Sequence, residues 1–390
     1  MDLHEFQSKE ILSRYGVAVP PGRVAWTAEE AESIARELDA RRFAVKAQVH
    51  AGGRGRAGGV RLAATSDQVR SIAADLLGTT LVTEQTGPAG RTVRRVYVEA
   101  GVEAKRDLYV AVLVDRRLGA VTLIATRRGG EDIEERVARD PSIVERLEIP
   151  PDGIGGADYA GFAARLDLDG AAGEHAAVLF RNLVQAFFDL DASLIEINPL
   201  AVTAAGDVVA LDVKLVLDDN ALFRHPDLAE LRDVDSLDPV ELQAQRNEIN
   251  FVRMDGDIGV VVNGAGLALA THDMLRDAGG RPANFMDIRT TANSIDIARG
   301  LDLLFGNPGV KVVLVNIHGG GMTRCDTVAE AIGISVRRSG RRLPIVYRAA
   351  GNNAEFSRTV LNNCGVAYMP ADDMAHAVAL AVAAARGEAA

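Results

Sequence analysis

The stretch SLIEINPLAVTAAGDVVALDVK, residues 193–214, is the most informative part of this 390-residue chain. Apolar and polar residues alternate on both sides of a glycine-containing turn, which is the pattern of a β-hairpin. If the turn is centred on Ala205, Asn198 faces Asp212 and Glu196 faces Lys214, at cross-strand distances of about 4.5–5.5 Å. An amide beside a carboxylate suits Mg²⁺, which prefers hard oxygen ligands and completes its shell with substrate phosphates. We favour this metal site over a surface hairpin with a weak Glu196–Lys214 pair.

A glycine-rich stretch, FAVKAQVHAGGRGRAGGV, covers residues 43–60. Strand alternation places Lys46 and Gln48 opposite the apolar residues, and five glycines and two arginines follow. Glycines let backbone N–H groups approach phosphate closely, so the loop suits a polyphosphate, although a solvated hairpin loop explains the spacing equally well. Glu99, on a second predicted strand, is a candidate acceptor for a ribose hydroxyl or an adenine amine; alone, such a residue is more often a solvated edge residue.

The composition excludes several classes of protein. The chain has 43 Lys and Arg against 54 Asp and Glu, a formal net charge of -11, so nothing attracts nucleic acid or an anionic membrane over a long range. Cys325 and Cys364 cannot form a disulfide framework and fit a reducing cytoplasm. No secretory signal is visible, and the apolar tail 375–385 is shorter than the roughly 18 residues that span a bilayer. We therefore expect a cytoplasmic protein that binds no nucleic acid and no membrane.

The second half of the chain is organised differently from the first. A polar stretch at 228–248 predicts a linker with one helix. After it, we predict strands at 258–262, 284–288, 310–317, 344–348 and 366–369, and helices at 267–278, 294–305, 327–337 and 372–385. Repeated βα units predict an open parallel sheet that binds ligands at the carboxyl ends of its strands. We place the domain boundary near Leu237, which gives domains 1–236 and 237–390.

Two glycine loops follow predicted strands in the second half. Asn263 leads into Gly264 and Gly266, but Leu269 stands where a dinucleotide fingerprint needs its third glycine, so a nicotinamide site is not expected. His318 leads into three glycines before a helix, whose N-terminus attracts an anion. A tight βα turn is the plain alternative. A lone histidine there is more often hydrogen-bonded than a phosphohistidine.

Taken together, these motifs resemble the β subunit of succinyl-CoA synthetase, the ADP-forming succinate–CoA ligase. The similarity runs from Met1 to about Leu380. It includes the glycine loop 46–59, LHEFQ at 3–7, LIEINPL at 194–200, DNALFR at 219–224, VNGAGLA at 262–268, PANF at 282–285, RCD at 324–326 and GNN at 351–353. Pro20 matches the members that use ATP rather than GTP.

The resemblance implies an α/β and α+β chain, with an N-terminal ATP-grasp domain followed by a flavodoxin-like, doubly wound parallel-sheet ligase domain. It implies that ATP and ADP bind through Lys46, Gly53, Arg54, Gly55, Glu99, Val102 and Asp107, that Asn198 and Asp212 hold Mg²⁺, and that Asn263, Gly320, Gly321, Met322 and Thr323 bind the acid.

It also implies a reaction of the tricarboxylic acid cycle shared between two chains. A phosphoryl group passes from ATP through a histidine on a separate α subunit to the acid, and CoA, bound mainly by the α subunit, captures the acyl phosphate. Glu196 is expected to face that phosphohistidine as the catalytic residue of this chain, in a heterodimer or heterotetramer.

Four departures from the family pattern fall mostly in the acid-binding half. MDIRTTA at 286–292 replaces a glycine-rich segment, and RAAGNN at 348–353 replaces RLEGNN. His318 replaces a phenylalanine in a loop one residue longer, and Asp107 replaces a glutamate. We hypothesise that Arg289, with His318 and Thr323, binds a different or more charged acid, such as malate, citrate or a sulfonated acid. Equally, Arg289 turns to solvent or pairs with Asp287 or Asp296, and succinate remains the substrate.

Two other functions stay open. One is an ATP-grasp ligase that joins a carboxylate to an amine, although the βα-rich second half has no place in a minimal enzyme of that kind. The other is an inactive paralogue that regulates or scaffolds an α-like partner. The presence of Lys46, Glu99, Asn198 and Asp212 together argues against the inactive paralogue.

Overall fold

A computed structural model describes residues 1–38, 40–130, 132–150, 154–236 and 238–388. The chain divides into two compact units, unit 1 at Met1–Ser236 and unit 2 at Leu237–Ala390. Leu237, where the sequence suggested the boundary, itself lies outside the described residues. None of the helices in these ranges combines the length and apolar character needed to cross a bilayer.

Unit 1 combines three antiparallel sheets with seven α-helices in its described part. The helices are α1 (Glu5–Arg14), α2 (Ala28–Glu37), α3 (Ser66–Leu76), α4 (Ile133–Arg139), α5 (Tyr159–Arg165), α6 (Gly170–Asp189) and α7 (Pro226–Ala229). The strands are β1 (Gly22–Ala25), β2 (Phe43–Ala47), β3 (Val60–Ala63), β4 (Thr80–Leu81), β5 (Arg91–Thr92), β6 (Val96–Ala100), β7 (Arg106–Asp115), β8 (Ala120–Thr126), β9 (Glu145–Glu148), β10 (Ala192–Val202), β11 (Val208–Ala210) and β12 (Val213–Leu217).

Each of the two larger sheets of unit 1 has its own core. The four-stranded sheet runs β1-β6-β2-β3, and the six-stranded sheet runs β11-β10-β7-β8-β9 with β12 also paired to β10. Helices α2 and α3 bury Ile34 and Val69 against the four-stranded sheet. Helix α6 buries Phe180 and Leu183 against Ile195 of the large sheet. The apolar residues of α6 recur at helical spacing, so one of its faces packs on β10.

Unit 2 is a single six-stranded sheet covered on both faces. Its helices are α8 (Pro239–Arg246), α9 (Ala265–Asp277), α10 (Ser294–Phe305), α11 (Cys325–Ser339), α12 (Ala354–Asn363) and α13 (Met374–Arg386). Its strands are β13 (Asn250–Arg253), β14 (Ile258–Val262), β15 (Asn284–Asp287), β16 (Val312–Gly319), β17 (Ile345–Gly351) and β18 (Met369–Pro370), in the spatial order β13-β15-β14-β16-β17-β18.

The buried residues of unit 2 explain why its central strands are apolar throughout. Val261 and Val313 face one core, which contains residues of α10 and α11, whereas Val260 and Leu314 face the other, with residues of α9 and α13. A strand covered on both faces has no polar side, so its sequence is a continuous apolar run. The expected doubly wound fold is confirmed.

Two details of the unit 2 sheet differ from the sequence prediction. Strand β13 pairs antiparallel with β15 at one edge, whereas the sequence predicted only parallel strands. The last strand is the two-residue β18 rather than 366–369, and Val366 packs in the core before that strand begins. Both differences lie at sheet edges, where fewer neighbouring strands constrain the chain.

Candidate functional site

The register of the β10 hairpin is the one predicted for a turn centred on Ala205. Glu196 pairs with Lys214, and the backbone N–H of Asn198 donates to the carbonyl of Asp212 at 3.1 Å. Strand pairing is interrupted between β11 and β12, so the two polar positions Asn198 and Asp212 lie next to the break. The hairpin therefore brings the two predicted metal ligands to directly opposite positions.

Both predicted metal ligands are engaged by groups of this chain. The side-chain oxygen of Asn198 accepts from the N–H of Gly130 at 2.8 Å, and its amide nitrogen donates to the Gly130 carbonyl at 3.0 Å. The Asp212 carboxylate accepts from one guanidinium nitrogen of Arg54, at 2.7 and 2.9 Å to its two oxygens. Arg54 also donates to Glu5 at 2.9 Å. The predicted nucleotide-binding arginine is thus paired with a predicted metal ligand.

Two buried lysines of unit 1 share one set of acceptors. Lys46 on β2 lies 2.8 Å from Glu5, 2.7 Å from Glu99 and 2.6 Å from the Leu211 carbonyl. Lys9 on α1 contacts Glu5 at 3.0 Å and the same carbonyl at 2.6 Å, and it also pairs with Glu99. We call these residues, together with Arg54 and Asp212, the charge network. It holds three cations and three carboxylates, so its formal charges balance.

Burial and the neighbouring cations act in opposite directions on the two glutamates of the charge network. Burial favours the neutral form of Glu5, but Lys46, Lys9 and Arg54 together hold its pKa far below the usual range. Burial keeps the pKa of Glu99 raised, although Lys46 and Lys9 oppose the shift. Lys46 and Lys9 thus favour the ionised form of Glu99 against the effect of burial.

The glycine loop between β2 and β3 is held in one shape by contacts within unit 1. The Gly59 N–H donates to the Arg54 carbonyl at 2.8 Å, and the Gly52 N–H donates to Gln85 at 2.6 Å. Gly53 has a φ of 72°, a left-handed conformation that favours glycine. Gly53 and Gly55 thus flank Arg54, a member of the charge network.

Three predicted residues lie apart from the charge network or at its margin. Val102 lies in the loop after β6, and Asp107 is exposed on β7 opposite Ala201. Within the described ranges, neither side chain hydrogen-bonds to the network. Burial raises the pKa of Asp107. Glu196 is half-buried, and burial raises the pKa of its carboxyl despite the opposing charge of Lys214.

A second cluster of ionisable side chains lies near the start of α1. The imidazole of His4 is hydrogen-bonded to Asp233 at 2.6 Å and stacks on His50 with ring centroids 4.0 Å apart. Nε2 of His50 lies 3.8 Å from Asp233, whose other oxygen accepts from Arg95 at 3.0 Å. These residues have the composition of a metal site, but the Asp233 carboxylate already binds a guanidinium and an imidazole. The geometry is that of an ion-paired structural cluster.

In unit 2, the predicted acid-binding residues lie at the carboxyl ends of neighbouring strands. The Asn263 side chain accepts from the backbone N–H of His318 and donates to its carbonyl, both at 2.8 Å. The Gly264 N–H donates to Asp287 at 2.6 Å. Asn263 therefore links β14 to β16, and its amide is engaged in that link. The His318 side chain is exposed.

The loop 320–323 forms a tight turn before α11. The Thr323 N–H donates to the Gly320 carbonyl at 3.2 Å, and Gly321 has a φ of 56°. Thr323 is buried, whereas Met322 is 69% exposed. The loop is thus closed by its own backbone, with one apolar side chain directed to solvent.

Arg289 is held by a residue that the sequence did not suggest. Its guanidinium donates to Glu248, rather than to Asp287 or Asp296. About a third of the Arg289 side chain is exposed. Glu248 precedes β13, the edge strand that was missed, so its proximity to Arg289 had no basis in the sequence pattern.

Glu5 and Lys9 are the members of the charge network that were not singled out from the sequence. The signal was present in α1, where the two residues stand four apart on the face that also carries Leu12. Charges of opposite sign on an otherwise apolar stripe indicate a buried ion pair.

Comparison with known proteins shows the family of this chain. Residues 2–202 match the ATP-grasp domain model and residues 261–382 match the CoA-ligase model. The succinate–CoA ligase [ADP-forming] subunit β of Acidiphilium cryptum is 44% identical, covering 98% of this chain and 99% of that one. This chain belongs to the succinate–CoA ligase β-subunit family. A family member from Staphylococcus aureus is also 44% identical, covering 96% of this chain and 97% of its own.

More distant relatives share the fold of this chain. An ATP citrate lyase from Methanothrix soehngenii superposes with a TM-score of 0.76 at 19% identity, covering 97% of this chain and 98% of that chain. At that identity the likeness concerns the fold alone. The range matched by the ATP-grasp model includes Lys46, Glu99 and Asn198. The range matched by the CoA-ligase model includes Asn263 and the loop 320–323.

Proposed function

We propose that this chain is the β subunit of an ADP-forming succinate–CoA ligase, which converts succinate, CoA and ATP to succinyl-CoA, ADP and phosphate. The observation that carries the proposal is 44% identity to β subunits of that name along nearly the whole chain, through both the ATP-grasp and CoA-ligase domains. The charge network supports it, because two buried lysines and Arg54 of the glycine loop bring three cations together in unit 1.

The nucleotide binds in unit 1 over the charge network. Lys46 and Arg54 provide cations for the phosphates, with Gly53 and Gly55 allowing the backbone to approach them. Glu99 accepts from the sugar or the base, and Val102 and Asp107 line the same nucleotide. Because Lys46 and Arg54 are paired with carboxylates, ATP binding exchanges those carboxylates for phosphate oxygens.

Asn198 and Asp212 would hold Mg²⁺, since the hairpin places an amide and a carboxylate at opposite positions. Asp212 is partly exposed, and one or two carboxylates suffice for this ion. When bound, Mg²⁺ would neutralise charge on the phosphate oxygens. Arg54 leaves Asp212 for a phosphate oxygen, and Asn198 keeps its orientation through its amide contact with Gly130.

The phosphoryl group then passes to a histidine on a partner α subunit and from there to a carboxylate oxygen of succinate. The thiolate of CoA attacks the carbonyl carbon of this acyl phosphate, and phosphate leaves. Glu196 faces the phosphohistidine, and its raised pKa suits a carboxyl that hydrogen-bonds a phosphorylated imidazole. The proposal includes a cytoplasmic location and a heteromer with that α subunit.

Succinate binds in unit 2 near Asn263 and the loop 320–323. Arg289 is the candidate for contacting a more charged acid, but its guanidinium is already neutralised by Glu248. The name of the relatives that are 44% identical along nearly the whole chain favours succinate over malate, citrate or a sulfonated acid.

The test is ADP release by the chain together with its α subunit, with ATP, Mg²⁺, CoA and a panel of succinate, malate, citrate and a sulfonated acid. We expect turnover with succinate that requires all components, and retention of turnover in the surface variant Lys311→Met. A higher kcat/KM for another acid would overturn the substrate assignment. Absence of ATP binding to the folded chain would overturn the enzyme assignment as a whole.

A further inference from the structure

Lys9 is a cation buried as deeply as a core leucine, with 1% of its side chain exposed. Its ammonium contacts Glu5, Glu99 and the Leu211 carbonyl, and it lies 5.2 Å from the centroid of the Tyr97 ring. A buried ammonium is tolerated only when its charge is paired and its donors are used. These contacts meet that requirement, and the ammonium has no route to a ligand.

Lys46 uses the same three groups as Lys9. Its ammonium lies 2.8 Å from the Glu5 oxygen that Lys9 also contacts, 2.7 Å from the other oxygen of Glu99 and 2.6 Å from the Leu211 carbonyl. An ammonium has three N–H donors, so Lys46 has none to spare. To bind a phosphate oxygen it must give up at least one of these acceptors.

The cost of that exchange depends on what remains beside the two glutamates. Glu5 and Glu99 have side chains that are 1% and 3% exposed, so water cannot replace a departing cation. A buried carboxylate without a partner is strongly unfavourable. With Lys9 in place, each glutamate still contacts an ammonium after Lys46 has turned away.

We propose that Lys9 is a positioning residue for nucleotide binding, which keeps Glu5 and Glu99 paired and in place when Lys46 turns from them to a phosphate of ATP. The two lysines divide the work according to exposure. The Lys46 side chain is 7% exposed and lies on β2, directly before the glycine loop, whereas Lys9 is enclosed on α1. This proposal rests on the proposed ATP site.

A further consequence concerns the orientation of Glu99, the candidate acceptor for the sugar or the base. Burial raises the pKa of this carboxyl, and Lys9 and Lys46 are the cations that oppose the shift. When Lys46 has moved, Lys9 is the lysine that still opposes this rise of the pKa. A neutral Glu99 would present a hydroxyl in place of one acceptor oxygen.

The experiment measures the dissociation constant of ATP with Mg²⁺ for the full chain by calorimetry. Lys9→Met removes the charge and keeps the length of the side chain. We expect it to weaken ATP binding by about tenfold or more, as one neighbouring charge does to a buried ionisable group. Lys9→Arg, which retains the charge, should bind within about threefold of the unmodified chain. Lys311→Met, an exposed lysine of unit 2 paired with Asp257, is the matched control and should bind as the unmodified chain does.

Charge balance separates this role from a merely structural one. In the double variant Glu5→Gln/Lys9→Met, one carboxylate is removed along with the cation, so Lys46 has less charge to leave behind. We expect this double variant to bind ATP more tightly than Lys9→Met alone. A role in packing alone predicts no such recovery, because Glu5→Gln restores none of the packing that Lys9→Met removes. Equal or weaker binding by the double variant would overturn the proposal.

The remaining outcomes are also decisive. If Lys9→Met is too unstable to isolate, Glu5→Gln is compared with the double variant. The proposal then expects at least threefold weaker ATP binding in the double variant, because Lys46 would leave Glu99 unpaired. Equal affinities of Glu5→Gln and the double variant would overturn the proposal.

If the unmodified chain binds ATP and Lys9→Met binds it equally well, the proposed role of Lys9 is wrong and the nucleotide site stands. If the unmodified chain binds no ATP, the nucleotide site itself is wrong.

Discussion

Asp212 has two candidate partners in unit 1, the guanidinium of Arg54 and Mg²⁺. Its carboxylate pairs with Arg54, yet the hairpin register sets it opposite Asn198 as a candidate metal ligand. A single carboxylate cannot hold both partners fully at once. Arg54 and Mg²⁺ are therefore expected to compete for Asp212 unless a phosphate takes the guanidinium.

The variant Asp212→Asn separates these two contacts. It keeps the shape of the side chain and removes its charge, so ADP release with the α subunit should fall about 100-fold or more. Binding of metal-free ATP should not weaken, because Arg54 is released for phosphate. Both are measured as a function of Mg²⁺ concentration. Asp207→Asn, on the exposed turn of the same hairpin, is the control and should retain activity. Unchanged Mg²⁺ dependence in Asp212→Asn would contradict the metal assignment.

His50 makes the stability of unit 1 depend on pH. Its pKa is lowered to about 4, mainly by burial and also by His4 and Arg95, against the opposing charges of Asp233 and Asp2. Between pH 6.5 and 4 the unfolded chain binds a proton that native His50 does not. Stability should therefore fall as the pH falls through this window, by up to about 3 kcal/mol.

Urea unfolding followed by Trp26 fluorescence at several pH values measures this effect. His50→Gln should show a shallower loss of stability between pH 6.5 and 4, whereas exposed His175→Gln should not. The Asp233 contribution falls outside this window. Contacts with His4 and Arg95 outweigh burial and lower its pKa to about 2, so its stabilisation is present above pH 3.8 and is lost only as the pH falls toward 2. Parallel slopes for the unmodified chain and His50→Gln would refute the assignment.

Among the elements, the parallel pair β16 and β17 shows the closest backbone contact near the proposed acid site. Gly351 has a φ of 86°, and a Cβ added there would lie 2.0 Å from the Gly319 carbonyl oxygen. The Asn352 N–H donates to that same carbonyl at 2.8 Å. The end of β17 thus sets the position of the strand end that leads into loop 320–323.

Gly351→Ala is expected to disturb both stability and acid binding. A left-handed φ alone costs about 1 kcal/mol for alanine, and the collision adds to that cost. Gly340→Ala has the same backbone penalty, at a φ of 63°, but no neighbour within 4 Å. Chemical unfolding should therefore show a clearly larger loss for Gly351→Ala, and the KM for succinate should rise only in that variant. Equal losses in the two variants would show that the backbone relaxes around the added methyl group.

The elements that the sequence predicted best are those with local signals. Helix α10 was predicted with its observed bounds, Ser294–Phe305, and a capping box of Asn293 and Asp296 marks its start in the structure. Strand β14 was predicted with its observed bounds as a continuous apolar run. Strand β13 was missed, since four mostly exposed residues at a sheet edge resemble a linker.

The features of the site that depend on local signals were likewise the ones that the sequence predicted. The hairpin register followed from turn position and alternation alone, because the side-chain period of a strand fixes which residues face each other. The contact of Lys9 with Glu99 joins residues 90 positions apart, and no local pattern encodes it. Periodicity predicted what lies on one face of an element, but not which element that face meets.

At the scale of the whole molecule, each unit has its own cores and its own spectroscopic or chemical probe. The single tryptophan, Trp26, belongs to unit 1, and the two cysteines, Cys325 and Cys364, belong to unit 2. The hydrophobic clusters contain residues of one unit each. Unfolding of the two units can therefore be followed separately in the intact chain.

A ligand that binds a folded unit raises the free energy of unfolding of that unit, so the unmodified chain shows which unit binds each ligand. ATP with Mg²⁺ at 100 times its dissociation constant should raise the free energy of unfolding of unit 1 by about 2.7 kcal/mol, seen as a shift of the Trp26 transition in urea. Thiol labelling of buried Cys325 should keep its midpoint, because that residue reports on unit 2. Succinate with the α subunit should shift the thiol transition instead. A shift of the thiol transition alone on adding ATP would place the nucleotide in unit 2, and equal shifts of both probes would show that the two units unfold as one.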